Sequence, residues 1–175
     1  MVTILIDKAV ADLGKDMYER VAQARQDVRH FYLEDMNIEP CHACRGCEEK
    51  TYGRCVIRDD ADLILPCLAR SKTIVVITPI VFGGYSFQVK RALDKFPLLL
   101  DRHYYTRSGE LTAGKPSGIK YYAIGVHDSL KEEEIHVFRN LILETLKITA
   151  WGGRSIVMPY EADDYEKLVR EVRMP

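Results

Sequence analysis

No apolar run in this sequence approaches the roughly 20 residues that a membrane-spanning helix requires. Nor is there an excess of one charge: 25 Lys and Arg against 26 Asp and Glu leave a net charge of −1. That balance supplies neither the basic stripe of a nucleic-acid groove nor a patch for anionic lipid, so neither partner is expected. Internal repeats, low-complexity tracts and linkers are also missing, which predicts one domain over 1–175. The opening residues, MVTILIDKAVADLGKD, have too short an apolar run and acidic groups too early for an export signal. The expected compartment is cytoplasmic, where structural disulfides are rare. No Ser-His-Asp arrangement, Walker loop or pair of catalytic carboxylates stands out, so no side chain is nominated for acid–base catalysis.

Cysteine is scarce, five in all, yet four of the five lie in one stretch, PCHACRGCEEKTYGRC, at Cys41, Cys44, Cys47 and Cys55. An odd count in a reducing compartment argues against disulfides. Each iron of a [4Fe–4S] cluster takes one thiolate, and C-x-x-C-x-x-C lets one loop reach three corners of a cube. Cys55 can return to the fourth, with Gly46 and Gly53 giving the loop freedom to wrap. Two alternatives stay open: a tetrahedral zinc, although structural zinc sites more often use two separated pairs, and a redox-active thiol loop without metal. His42 reads as a solvated loop residue, and Cys67, in LILPCL, as an inert core thiol.

The rest of the chain alternates short β-branched runs with helical patterns. Strands are expected at Val2–Ile6, Val28–Leu33, Thr73–Val81, Tyr121–Val126 and Arg154–Met158. Helices are expected at Gly14–Arg25, Asp59–Arg70 (kinked at Pro66 or starting later), Tyr85–Leu100, Lys131–Ile148 and Asp163–Arg173. Strands each followed by a helix imply right-handed crossovers and a parallel sheet covered on both faces. The expectation is an α/β flavodoxin-like three-layer sandwich with a five-stranded parallel sheet in the order 2-1-3-4-5. Ligands then bind beyond the carboxyl ends of the strands, near the switch point between the first and third, and the cysteine loop (40–58) follows the second strand.

Directly after the central strand comes TPIVFGGYSFQVKRALDK, Thr78 to Lys95. Gly83 and Gly84 let the backbone turn sharply and approach a flat ligand, and Phe82 and Tyr85 can meet a ring. Thr78 to Ser86 with Lys90, Leu93 and Asp94 resembles the flavin-binding loop and helix of flavodoxin-like NAD(P)H-dependent FMN reductases. Pro40, Cys41, Cys44 and Cys47, then Gly53 to Ile57 with Asp59 and Asp60, is similar to the cysteine loop of that family's iron–sulfur flavoprotein branch.

The resemblance implies an FMN-dependent oxidoreductase or electron-transfer flavoprotein. Its isoalloxazine would lie against Pro79, Ile80, Val81, Phe82, Gly83 and Gly84, bordered by Tyr85, Ser86 and His127. Backbone amides of Gly83 and Gly84 would tune the ring, with Phe82 shielding one face. A [4Fe–4S] cluster would sit on Cys41, Cys44, Cys47 and Cys55 near the flavin. It implies NAD(P)H or a ferredoxin-like carrier as partner and a homo-oligomer, dimer or tetramer. A flavin-free binding or regulatory protein and a zinc or thiol redox sensor on the same fold are the rival readings.

One segment departs from the family. Its reductases hold the FMN phosphate in a Gly-Ser-Pro-Arg type of turn after the first strand, at a helix N-terminus. This chain has Asp7-Lys8-Ala9-Val10-Ala11-Asp12-Leu13-Gly14 there, with two carboxylates and no hydroxyl. Lys8 and Lys15 are the available cations. Weak FMN binding, a phosphate held elsewhere, and loss of flavin all remain open, and Asp101–Arg107 is a candidate reach-over element from a second subunit or a loop on a dimer surface. His127 either borders the flavin or, with Ser129, caps the next helix; His30 and His136 need no function, and Glu132–Glu134 open a helix whose dipole favours them.

Overall fold

The computed structural model describes residues 1–99, 105–107, 109–112, 118–129, 131–160 and 166–173. In chain order, β1 (Val2–Ile6) leads through a 3-10 turn, Lys8–Val10, into α1 (Ala11–Ala22) and then β2 (Val28–Tyr32). After a second 3-10 turn, Leu33–Asp35, the cysteine loop carries a one-turn helix, α2 (Gly46–Glu49), before α3 (Ala61–Arg70) and β3 (Thr73–Pro79). Next come α4 (Phe87–Leu93), a 3-10 turn at Phe96–Leu99, and a short hairpin of β4 (Tyr105–Arg107) and β5 (Glu110–Thr112). The chain closes with β6 (Lys120–His127), α5 (Glu132–Thr149), β7 (Gly152–Pro159) and α6 (Glu166–Arg173).

The main sheet runs β2-β1-β3-β6-β7, parallel throughout, which is the expected flavodoxin-like order 2-1-3-4-5. Side chains alternate between its faces, so strands covered on both sides read as near-continuous apolar runs. Val2, Ile4, Ile6, Val75, Ile77, Ile124 and Val126 join α1 and α6 in one core. Leu5, Ile74, Val76, Tyr121 and Ala123 join α3, α4 and α5 in the other. At about 25 cal/mol per Å² of buried apolar surface, two such cores are the main favourable term of the fold. Among the described residues no helix is long and apolar enough to cross a membrane.

Several boundaries differ from expectation for identifiable reasons. The helix expected over Tyr85–Leu100 is α4 alone followed by a 3-10 turn, because Pro97 lacks an N–H and disfavours helical geometry at Phe96. Pro66 leaves α3 unbroken; the carbonyl it deprives of a donor belongs to Asp62, in the first turn. β3 stops at Pro79, and Leu33 opens a 3-10 turn rather than ending β2. The β4–β5 hairpin was not anticipated; of the expected reach-over element, residues 101–104 lie outside the described residues, as do 163–165 of the last helix.

Candidate functional site

The chain leaves β1 on one side and enters β3 on the other, so the carboxyl ends of these two strands border the crevice. Asp7, first after β1, donates its backbone N–H to the carbonyl of Ile77 at 3.0 Å. Its carboxylate turns inward: Oδ1 accepts the Ala9 N–H at 2.8 Å and Oδ2 accepts the Ser86 hydroxyl. Ser86 is the N-cap of α4, its Oγ accepting the Val89 N–H at 3.2 Å, while its own N–H reaches Thr78 Oγ1 at 3.1 Å. The hydroxyl that sequence reasoning placed against a cofactor is thus engaged on both sides within the chain.

Beyond β3, Val81 and Gly84 exchange backbone hydrogen bonds of 3.0 and 2.9 Å around a two-residue turn. Phe82 has φ 50° and Gly83 φ 74°, the left-handed pair of a type I′ turn. Gly83 is obligatory on two counts, since a Cβ there would also stand 2.8 Å from Val137 on α5. Phe82 adopts the left-handed region despite its bulk, a strain of about 1–2 kcal/mol, and its ring is 93% exposed. The Gly84 N–H is consumed by the turn, which leaves Gly83 as the amide of the expected pair not bonded to Val81.

The other expected ring contacts divide. Ile80 turns into the core and fills the space left by Gly125, where a Cβ would come within 2.7 Å of it. The Tyr85 phenol also faces inward, 2.8 Å from the Tyr121 hydroxyl and edge-on to Phe138; burial pushes both phenols up. Pro79 ends β3, and Val81 is exposed beside Phe82. His127 ends β6 with a buried Nδ1 that has no partner, and its carbonyl accepts the Tyr160 N–H at 3.2 Å. Burial raises the Tyr160 phenol, and the charges of Asp128 and Asp7 raise it further, so this end of the sheet has an acidic character.

The cysteine loop is closed at its neck by two adjacent carboxylates. Asp59 accepts the N–H groups of Glu39 (2.8 Å) and Ala61 (3.0 Å), and Asp60 accepts that of Asn37 at 2.7 Å while donating its own N–H to the Asn37 carbonyl at 3.1 Å. Lys95, just past α4, pairs with Asp59 in the interior. Sequence reasoning took Asp59 and Asp60 as part of the cysteine-loop resemblance and did not find Lys95, the partner of Asp59, for no local pattern links residues 36 apart. Gly46 sits so close to Val56 that a Cβ would come within 2.5 Å, and Ala43 and Arg45 both take left-handed backbone.

Cys41, Cys47 and Cys55 line one cavity of about 410 Å³ with Arg45, Lys95 and Leu98; Cys44 is exposed. Desolvation first, then the charge of Glu48 and of the thiols at 55 and 41, pushes the Cys47 thiol up. Among the described residues no three His, Cys, Asp or Glu side chains converge enough to hold a single metal ion. Tetrahedral zinc would draw its thiolates to within about 4 Å of one another. Thiolates on separate irons of a cubane stand farther apart, and four cysteines on one loop are the donor set such a cluster takes.

The cysteine cavity lies by the C-terminal end of α4, whereas the Phe82 turn precedes its start. Seven helical residues, about 10 Å, separate the two. A second cavity, also about 410 Å³, runs between α4 and α5 from Gly84 and Tyr85 to Leu141 and Ile148. Asp94 lines both cavities, so they adjoin.

For a flavin, the two ends of the site give different answers. The ring end fits: an exposed aromatic on a rigid turn, a glycine amide and an orphaned His127 Nδ1 stand at the carboxyl edge. The phosphate end does not fit, because the turn after β1 holds its own carboxylate.

A model of the family described as NADPH-dependent FMN reductase matches residues 9–149. An iron-sulfur flavoprotein of Methanocaldococcus jannaschii is 31% identical over 83 residues, 47% of this chain and 42% of that protein. One from Archaeoglobus fulgidus is 25% identical over 148 residues, 85% of this chain and 56% of the relative. The chain thus covers only about half the length of these curated relatives. Among solved structures, an FMN-dependent NADH-azoreductase from Bacillus anthracis in complex with FMN superposes with a TM-score of 0.63 at 12% identity, covering 98% of this chain and 95% of that one. At that identity the likeness speaks for the fold. With the family model matched over most of its length and iron–sulfur flavoproteins among its relatives, the chain belongs to the NADPH-dependent FMN reductase family.

Proposed function

We propose that this protein is a flavin-dependent oxidoreductase or electron-transfer flavoprotein, with FMN as the family's flavin and a [4Fe–4S] cluster on Cys41, Cys44, Cys47 and Cys55. NAD(P)H or a ferredoxin-like carrier is the electron partner in this reading, the assembly is a homo-oligomer, and the compartment is cytoplasmic. The observation that carries it is the Val81–Gly84 turn. A bulky aromatic held in strained backbone and exposed to solvent gains nothing for the fold, and such strain gathers at functional sites. Family membership gives that turn a ring to meet.

When bound, a flavin supplies the interchange between hydride and single-electron chemistry. The chain's own part is to bind and orient. Phe82 covers one ring face, the Gly83 amide offers a donor and His127 Nδ1 a further polar contact. The four thiols would hold the cluster, and the cavity they line adjoins, at Asp94, the one that starts at Gly84 and Tyr85.

The test is anaerobic reconstitution of the purified chain with FMN, iron and sulfide. A two-band flavin spectrum with broad visible absorbance and stoichiometric iron is expected. Retention of neither flavin nor iron refutes the proposal, and a colourless zinc protein selects the sensor reading.

A further inference from the structure

In a doubly wound sheet an anionic ligand group rests at the switch point, on backbone N–H groups that open a helix. Here the chain has filled that place itself. Asp7 is only 4% exposed, and its two oxygens are taken by the Ala9 N–H and the Ser86 hydroxyl. The Val10 N–H goes to the Asp7 carbonyl at 3.2 Å, and the Lys8 N–H faces Gln88 Oε1 at 3.4 Å. Lys8, the cation of the turn, is paired with Glu34 at 3.0 Å. Asp128 adds a second negative charge, felt with that of Asp7 at Tyr160. A phosphate arriving here meets a carboxylate, committed donors and a neutralised lysine. The match to the family model begins at residue 9, past Asp7.

We propose that the Asp7 carboxylate is the resident anion of the β1 turn, so that this chain holds an isoalloxazine by its ring alone and does not distinguish FMN from riboflavin. The inference rests on the flavin reading above and narrows its ligand class to a flat tricyclic ring whose terminal phosphate adds no affinity. It also gives Asp7 a positive role. The bond to Ser86 ties the end of β1 to the start of α4, bridging the two loops that flank the crevice.

The full chain is titrated with FMN and with riboflavin at one ionic strength, followed by quenching of flavin fluorescence. Dissociation constants within about threefold of each other are expected, and FMN tighter by about thirtyfold or more overturns the proposal. Asp7→Ser, which removes the charge and supplies a hydroxyl, is expected to tighten FMN about tenfold relative to riboflavin; an unchanged ratio overturns it. Should Asp7→Ser fail to fold by circular dichroism, Asp7→Asn, of equal size, takes its place. If neither flavin binds the wild type, the flavin reading falls, and inorganic phosphate decides this proposal separately. Silence of the Lys8, Ala9 and Val10 amide resonances in the wild type, with a saturable response in the variant, supports it. A response in the wild type, or silence in both, overturns it.

Discussion

Lys95 and Asp59 form an ion pair whose side chains are 1% and 2% exposed, joining the segment after α4 to the neck of the cysteine loop. Removing one partner of such a pair leaves an uncompensated charge out of water. Lys95→Met is expected to cost about 3–5 kcal/mol in urea unfolding. Lys95→Met with Asp59→Asn should recover part of that loss, since the amide is neutral and still accepts one backbone N–H. Equal stability of the single variant and the wild type would show the pair to be without consequence.

The Val81–Gly84 turn makes opposite predictions for its two central residues. Gly83→Ala meets Val137 and should lose about 1–2 kcal/mol from left-handed strain alone. Phe82→Gly relieves strain and exposes nothing, so its stability should hold or rise by about 0.5 kcal/mol. Its flavin affinity should nevertheless fall about tenfold, as expected for loss of an aromatic face. A parallel drop in stability and affinity in Phe82→Gly would mean that the ring serves the fold.

Thiol reactivity should grade along the cysteine loop. Cys41 and Cys44 are exposed, whereas Cys47 is half-buried with its thiol pushed up. In metal-free protein at neutral pH, iodoacetamide should modify Cys44 about fivefold faster than Cys47, read by peptide mass spectrometry. Reconstitution with iron and sulfide should protect Cys41, Cys44, Cys47 and Cys55 together; protection of none would remove the cluster.

His30 supplies a pH dependence. Its ring lies 4.0 Å from that of Tyr18 and 5.3 Å from that of Tyr32, and burial lowers its pKa below the ordinary value. The unfolded chain therefore takes up the proton first, near pH 6.5. The stability due to neutral His30 is complete above that pH and is lost as pH falls toward the folded-state value. Urea midpoints should drop between about pH 7.5 and 5, and His30→Gln should flatten the slope. An identical slope in the variant would assign the effect to other groups.

Strand order was legible because the central strand advertises itself: Ile74–Ile77 is an unbroken apolar run, as a centre buried on both faces should be. The cysteine spacing and the Gly-Gly turn were equally visible, being local. What escaped depends on distance along the chain. Asp7 reads only as a carboxylate out of place in a phosphate turn until Ser86, 79 residues away, is found bonded to it. Tyr85 and Ile80 read as ring contacts until Tyr121 and Gly125 are seen to receive them. The β4–β5 pair, three residues a side, is too short for periodicity to register, although Ser108-Gly109 between its strands is a turn signal that could have found it.

The clamp at Asn37, Glu39, Asp59 and Asp60 has a mechanical corollary. A segment fastened at its two ends is an exchangeable cassette. Its interior can lengthen or shorten while the pairing of β1 with β2 and β3 keeps its register, because the strain of such a change stops at the two fastened ends.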